Sequence, residues 1–154
     1  MSSTVFVDTS GWLAAINTRD SHYHSVVTVY DDLVAKRTSF VTSNLVVAEM
    51  HILIVRDRGA AAGCALLDAI YTDPLYRVVT VDRDLESEAT ERWLRRFTEQ
   101  RFSLADAVSF EIMRRERIGE ALALDHHFEV AGYRLLPGSD RKKPPARRKK
   151  GKTR

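Results

Sequence analysis

The chain has 154 residues, a length typical of one domain, and 44% of them are hydrophobic, so an ordinary buried core is expected without cross-links. Its single cysteine, Cys64, excludes an internal disulfide and is typical of a reducing compartment. The sequence has neither a signal peptide nor an apolar run of membrane-spanning length, which predicts a cytoplasmic protein with no membrane partner.

The charge is unevenly divided along the chain. Nine of the 24 basic residues lie in residues 141–154, where no acid occurs, which leaves 15 basic against 21 acidic residues in 1–140, a net charge of −6. From Pro137 onward the chain consists largely of Gly, Pro and basic residues. We therefore expect one domain over residues 1–137 and a disordered basic tail over residues 138–154.

Runs of β-branched and aromatic residues alternate with longer helical patterns. The first strand covers residues 5–7, and Thr9 or Ser10 could cap the helix that follows it. The other predicted elements are, in order, a helix over 22–36 capped by Ser21, a strand over 40–42, helices over 43–58 and 60–72, a strand over 76–81, helices over 84–98 and 103–117, and strands over 120–124 and 133–136. This alternation predicts a three-layer α/β/α fold with helices on both faces of a parallel sheet of four to five strands.

Two carboxylates, Asp8 and Asp125, come directly after buried strands. Open parallel sheets bind their ligands at the carboxyl ends of their strands, so both residues are candidate ligands. The alternative for Asp8 is a simple turn or cap residue. Asp82 follows a strand in the same way, and periodicity does not separate it from Asp125; we interpret Asp82 as a helix cap, together with Asp84.

Glu49 lies in a helical run, residues 45–55, that is apolar nearly all round and should be mostly buried. Its helical neighbours are Leu45, Val46, Ile52 and Leu53. An ionised carboxylate on such a face is costly unless it is paired or binds a metal. The sequence therefore predicts a metal ligand, with a buried ion pair to an arginine as the alternative.

Asp106 follows Ser103 by three residues, the spacing of a capping box at a helix N-terminus. It also shares a helical face with Phe110 and Met113, which should point into the core. We therefore expect Asp106 to be a ligand as well as a cap.

Several carboxylates at one sheet edge cannot all stay ionised without cations. Oxygen ligands favour Mg²⁺ or Mn²⁺ over zinc, and such sites commonly catalyse in-line displacement at phosphorus. No histidine pair has the spacing of an HExxH zinc motif. His126 and His127 are interpreted as surface or packing residues, and Cys64, within a run of small residues, as part of the core.

Four segments in this order resemble the four acidic motifs of PIN-domain ribonucleases, and the resemblance runs from about residue 4 to 137. The segments are Val7-Asp8-Thr9-Ser10, Asn44-Leu45-Val46-Val47-Ala48-Glu49, Phe102-Ser103-Leu104-Ala105-Asp106-Ala107 and Leu124-Asp125-His126-His127-Phe128. The compact size is similar to VapC-type toxins of toxin–antitoxin pairs.

The resemblance implies a PIN-like fold, cleavage of single-stranded or structured RNA by metal-activated water with Mg²⁺ or Mn²⁺, a homodimer, and inhibition by a small VapB-like antitoxin. It implies metal-binding and catalytic roles for Asp8, Glu49, Asp106 and Asp125. Ser10 and Ser103 match hydroxyl positions that often assist the site, although the family often has Thr where Ser103 stands.

Three alternatives stay open. The first is a stand-alone RNA-processing PIN nuclease, because the basic tail is not part of the usual toxin pattern. The second is a catalytically silent, RNA-binding PIN-like module, which loss of acids would favour. The third is a phosphotransfer enzyme with Asp8 as nucleophile, which covalent phosphorylation of Asp8 would reveal.

The basic tail is either an RNA-binding arm or a solvated appendage that aids solubility. Its charges come from Arg141, Lys142, Lys143, Arg147, Arg148, Lys149, Lys150, Lys152 and Arg154.

Overall fold

The structure of the protein is a computed structural model that describes residues 3–138. The predicted basic tail, from residue 139 onward, lies outside the described residues. The elements, in chain order, are β1 (Thr4–Val7), α1 (Thr9–Ile16), α2 (Tyr23–Ala35), β2 (Ser39–Ser43), α3 (Asn44–Arg58), α4 (Ala60–Thr72), β3 (Tyr76–Val79), α5 (Arg83–Ala89), a π-helical turn (Thr90–Leu94), α6 (Leu104–Glu116), β4 (Glu120–Leu122), α7 (His127–Val130) and β5 (Arg134–Leu136).

The strands form one parallel sheet in the order β3-β2-β1-β4-β5, which confirms the predicted α/β class and strand number. The chain moves outward from β1 through β2 to β3, and then crosses to β4 and β5 on the other side of β1. Because crossovers between parallel strands are right-handed, α1 to α4 cover one face and α5 to α7 the other. The three layers of the fold follow from this order.

The predicted caps Asp82 and Ser103, and Ser43 at a predicted helix start, each accept a hydrogen bond from the third backbone amide of α5, α6 and α3, respectively. The predicted caps of α1 are wrong, because Asp8 itself occupies that position and accepts from the amide of Ser10. Asp8 is therefore a cap whatever else it does.

The predicted cap Ser21 is also wrong. Helix α2 begins after His22, which makes no side-chain capping bond. Instead, the carboxylate of Asp20 accepts the amide of His22 at 2.7 Å and closes the loop before the helix. Aspartate side chains often accept a hydrogen bond from the backbone amide two residues later, so Asp20 closes this turn and Ser21 is not needed as a cap.

Two elements differ from the prediction. The helix expected over 84–98 changes at Thr90 into a π-helical turn that ends at Leu94, and this turn places Trp93 in the core at 8% exposure. Helix α7, between β4 and β5, is only four residues long, too short for a periodic pattern to reveal.

The core lies on both faces of the sheet around fully buried rings, among them Phe6, Phe40, Phe110 and Phe128. The prediction that Cys64 belongs to it is wrong, because Cys64 is exposed. Helix α4 packs on α3 and on the edge strand β3, and it buries only Gly63 and Ile70. Its composition of small residues reflects this close helix contact rather than full burial.

No helix within residues 3–138 is long and apolar enough to cross a lipid bilayer.

Candidate active site

The strand order reverses between β1 and β4, which lie side by side in the sheet although they are far apart in the chain. The two crossovers from these strands leave toward opposite faces, which opens a crevice at their carboxyl ends. Asp8 follows β1 directly, and Asp125 lies three residues beyond β4. The fold therefore brings these two carboxylates to one edge of the sheet.

The hydroxyl of Ser10 connects the two strand ends. Ser10 Oγ donates to Asp8 Oδ2 at 2.6 Å and accepts the amide of Leu124 at 3.0 Å. Gly11 allows this approach, because a Cβ there would lie 2.2 Å from the carbonyl oxygen of Leu122. The N-terminal turn of α1 is thus held directly against the end of β4.

Glu49 reaches the crevice from the first half of α3. Its Oε2 accepts a hydrogen bond of 2.9 Å from Thr9 Oγ1, so the residue that follows Asp8 fixes the position of Glu49. The expectation that Glu49 is buried is wrong, because α3 exposes Ala48, Glu49 and Ile52, the last at 57%. The apolar composition of α3 predicts burial all round, but one side of this helix faces the crevice and water. No arginine among the described residues pairs with Glu49.

Asp106 arrives from the opposite layer, in the first turn of α6. Both hydrogen bonds of the capping box are formed: Ser103 Oγ accepts from the Asp106 amide at 3.1 Å, and Asp106 Oδ2 accepts from the Ser103 amide at 2.9 Å. Asp106 can cap α6 and still act in the crevice, because Oδ2 makes the capping hydrogen bond and Oδ1 remains for a ligand.

His127 lies between the carboxylates of Asp106 and Asp125. Its Nδ1 is 3.2 Å from Asp106 Oδ2 and 3.5 Å from Asp125 Oδ2, and its amide donates to Asp125 Oδ1 at 2.9 Å. The interpretation of His127 as a surface or packing residue is incomplete, because its ring packs edge-to-face on Phe102 and also contacts both carboxylates. His126 fits that interpretation better, since its side chain is 72% exposed, although Asp125, His126 and His127 each offer a ligand atom within 4.8 Å of the others.

These side chains line one cavity of about 340 Å³. All six site residues predicted from the sequence take part in it, and the sequence missed Thr9 and His127. The lining residues are Asp8, Thr9, Ser10, Leu13, Glu49, Leu53, Ser103, Asp106, Asp125 and His127. Asp82 is exposed, caps α5 and is not part of this lining.

The electrostatics of the cavity are those of crowded negative charge. The pKa of Asp8 is raised to about 6, mainly by burial and to a lesser extent by the nearby carboxylates of Asp106 and Glu49, while its hydrogen bonds from Ser10 oppose the shift. A cation bound among these carboxylates would offset their mutual repulsion. The donor set around it consists of carboxylate oxygens, which fit a divalent ion such as Mg²⁺ or Mn²⁺.

Comparison with known proteins gives the family. The model of the PIN domain matches residues 5–132. The chain belongs to the PIN-domain family. It is 37% identical over 129 residues to the 23S rRNA-specific endonuclease VapC20 of Mycobacterium tuberculosis, an alignment that covers 84% of this chain and 95% of VapC20.

Two solved structures agree with this assignment. The crystal structure of VapC20, described as a Sarcin-Ricin loop cleaving toxin, superposes with a TM-score of 0.73 at 36% identity, covering 84% of this chain and 95% of that one. The structure of FitAcB from Neisseria gonorrhoeae gives a TM-score of 0.62 at 14% identity, over 86% of this chain and 96% of that one, which shows a shared fold. The predicted fold and the predicted resemblance to PIN-type endonucleases of the VapC group are thereby confirmed.

Proposed function

We propose that this PIN protein is an endoribonuclease that hydrolyses RNA with a divalent metal ion, Mg²⁺ or Mn²⁺, and that it is the toxin of a toxin–antitoxin pair. The observation that carries the proposal is the convergence of four carboxylates on one cavity where the strand order reverses between β1 and β4. The four are Asp8, Glu49, Asp106 and Asp125. Retention of all four acids argues against a catalytically silent module.

A divalent cation held by these carboxylates would supply hydroxide from bound water and stabilise the leaving oxygen of the phosphodiester. The chain contributes the geometry. Ser10 and Thr9 donate hydrogen bonds that orient Asp8 and Glu49, respectively. Ligands held by hydrogen bonds in this way lose less freedom when the ion binds, which raises affinity.

His127 performs the same task for the other half of the cavity. It is 19% exposed and contacts both Asp106 and Asp125. One side chain therefore sets the spacing between a carboxylate from α6 and a carboxylate that follows β4. We assign it a positioning role.

The substrate proposal follows from the likeness to VapC20, whose name gives 23S rRNA as its target. We propose RNA as the substrate class, with 23S rRNA as the first candidate. Attack by water needs no 2′-hydroxyl, so the products should carry 5′-phosphate and 3′-hydroxyl ends.

For regulation, we propose a homodimer and a VapB-like antitoxin that places an Arg or Lys in the cavity. The described body is acidic, and the four carboxylates attract a basic side chain as well as a metal ion. A cation from the antitoxin would compete with the metal and block activation of water.

The direct test is to incubate the purified protein with 23S rRNA in Mg²⁺ or Mn²⁺, with and without EDTA, and to determine the chemistry of the new ends. The proposal requires cleavage that EDTA abolishes and that yields 5′-phosphates. Cleavage that persists in EDTA, or products with 2′,3′-cyclic phosphates, would contradict it.

A further inference from the structure

A row of aromatic rings runs from the π-helical turn to the catalytic cavity. The ring centroids of Trp93 and Phe97 are 5.8 Å apart, those of Phe97 and Phe102 are 6.0 Å apart, and those of Phe102 and His127 are 5.2 Å apart. His127 in turn contacts Asp106. Two ring contacts thus connect Phe97 with the candidate site.

The row is buried at one end and open at the middle. Trp93 is 8% exposed and packs edge-to-face on Phe110 in the core, whereas Phe97 is 38% exposed. Because Trp93 stacks beneath Phe97 at an interplanar angle of 19°, the ring of Phe97 is supported from the core side. Phe97 is therefore a supported aromatic ring that remains partly open to water.

The surroundings of Phe97 are positively charged. Residues 92–101 contain four arginines and one glutamate, a net charge of +3 within a body of −6. Arg92 and Arg95 pair with Glu111 and Glu91, respectively. In the described part of the chain no acid pairs with Arg96 or Arg101, so both exposed guanidinium groups are available to a partner.

We propose that Phe97, flanked by Arg96 and Arg101, is a stacking platform for a base of single-stranded RNA next to the phosphate that is cleaved. Aromatic rings stack on any base, and neighbouring arginines neutralise the backbone phosphates, the combination that single-strand binding surfaces use. The inference rests on the proposed ribonuclease function and adds a residue that positions the substrate. It places the unpaired strand on the side of the cavity formed by α6 and the loop before it.

The test separates stacking from simple apolar contact by comparing Phe97→Leu with Phe97→Tyr. Leucine keeps an apolar side chain without a π face, and tyrosine keeps the ring. Tyr71→Leu, which removes an aromatic ring 61% exposed on α4, is the matched control. Each protein is titrated into short single-stranded RNAs that carry one 2-aminopurine at successive positions, in EDTA to prevent cleavage, and fluorescence quenching and affinity are recorded.

We expect wild type, Phe97→Tyr and Tyr71→Leu to quench one position strongly, and Phe97→Leu to lose that quenching and bind about tenfold more weakly. In metal-supported cleavage, Phe97→Leu should raise KM with little change in kcat. If wild type is active but wild type and Phe97→Leu show equal quenching and equal KM, the stacking role of Phe97 is wrong and the proposed ribonuclease function still stands.

Size-exclusion chromatography of each variant, alone and with a partner, completes the test. If Phe97→Leu alters self-association or partner binding while RNA stacking is unchanged, the surface binds protein and the proposal is wrong. If wild type neither binds nor cleaves RNA, the proposed function fails as well, so the two failures are distinguishable.

Discussion

Asp8 is the most buried carboxylate of the cavity, and its protonation should govern stability in the absence of metal. Its pKa in the folded protein is about 6, against an ordinary value of 3.8, because of burial and the neighbouring acids. The folded state therefore holds this proton more tightly than the unfolded chain. Stability from this group is full below about pH 4 and is lost as the pH rises through about 6.

We predict that Asp8→Asn raises the free energy of unfolding in EDTA at pH 7.5, by up to about 3 kcal/mol, since each pKa unit corresponds to about 1.4 kcal/mol. Asparagine can still accept from the Ser10 amide and cap α1. Urea denaturation at pH 7.5 and pH 4 measures the effect, which should shrink at the lower pH. A variant less stable than wild type at pH 7.5 would show that Asp8 is not an uncompensated acid.

His127 offers a second test at this scale. We predict that His127→Ala lowers kcat/KM for RNA cleavage by about tenfold to a hundredfold, because residues that orient metal ligands typically contribute that much. His126→Ala is the control, since its exposed ring should be nearly silent. Steady-state cleavage assays compare the two, and equal activities would remove His127 from the site.

At the scale of elements, the layer that carries Asp106 depends on the buried carboxylate of Glu111. Glu111 is fully buried and accepts hydrogen bonds from Trp93 Nε1 at 3.1 Å and from Arg114 Nη2 at 2.7 Å. Burial alone would raise the pKa of Glu111, but these hydrogen bonds and the charge of Arg114 hold it below its ordinary value. Glu111 thereby ties the π-helical turn to α6.

We predict that Glu111→Gln lowers the free energy of unfolding by about 2 kcal/mol, since it removes the buried negative charge that Trp93 and Arg114 share. Glu116→Gln, also on α6 but at the surface and paired with Arg77, should change stability by less than about 1 kcal/mol. Chemical denaturation of both variants at neutral pH decides the matter. Equal effects would mean that the buried network does not hold the two elements together.

The elements that the sequence predicts best are those with strong end signals. Ser43 and Gly59 bound α3, and Asp73 with Pro74 ends α4, so both helices agree with prediction. The π-helical turn was not predictable, because local patterns do not reveal the contact of its Trp93 with Glu111, a residue 18 positions away. Helix α7 is too short to generate a period.

In the candidate site, too, residues with a local sequence signal were predictable and residues that depend on distant contacts were not. Asp8 and Asp125 could be predicted because parallel strands place their ends at one edge. Thr9 and His127 could not, because their roles arise from contacts with Glu49 and Asp106 that only the folded chain creates. The exposure of Glu49 also depends on which side of α3 faces the crevice, which composition does not reveal.

At the scale of the whole molecule, charge separates the acidic body from the basic residues of 141–154. The latter lie outside the described residues, and their role stays a prediction. A body of −6 repels phosphates except where metal ions or local arginines neutralise it. The terminal segment could therefore supply much of the attraction for RNA.

We predict that deletion of residues 141–154 weakens RNA binding. The slope of the logarithm of the binding constant against the logarithm of salt concentration should become less negative by on the order of two to four, because each neutralised phosphate contributes about 0.7 to it. Turnover of bound RNA should change little, since no candidate catalytic acid lies beyond Asp125. RNA affinity measured against salt concentration for full-length and truncated protein tests this. Identical slopes would reduce the segment to an aid to solubility.

The measurement that tests the central claim most directly is RNA cleavage, in Mg²⁺ or Mn²⁺, by variants that neutralise one carboxylate each. The set is Asp8→Asn, Glu49→Gln, Asp106→Asn and Asp125→Asn, with Asp82→Asn as control. We predict that each of the first four folds but loses cleavage, while Asp82→Asn keeps it, because Asp82 only caps α5. Normal cleavage by any of the first four variants in its folded form, or loss of cleavage in Asp82→Asn, would contradict the account.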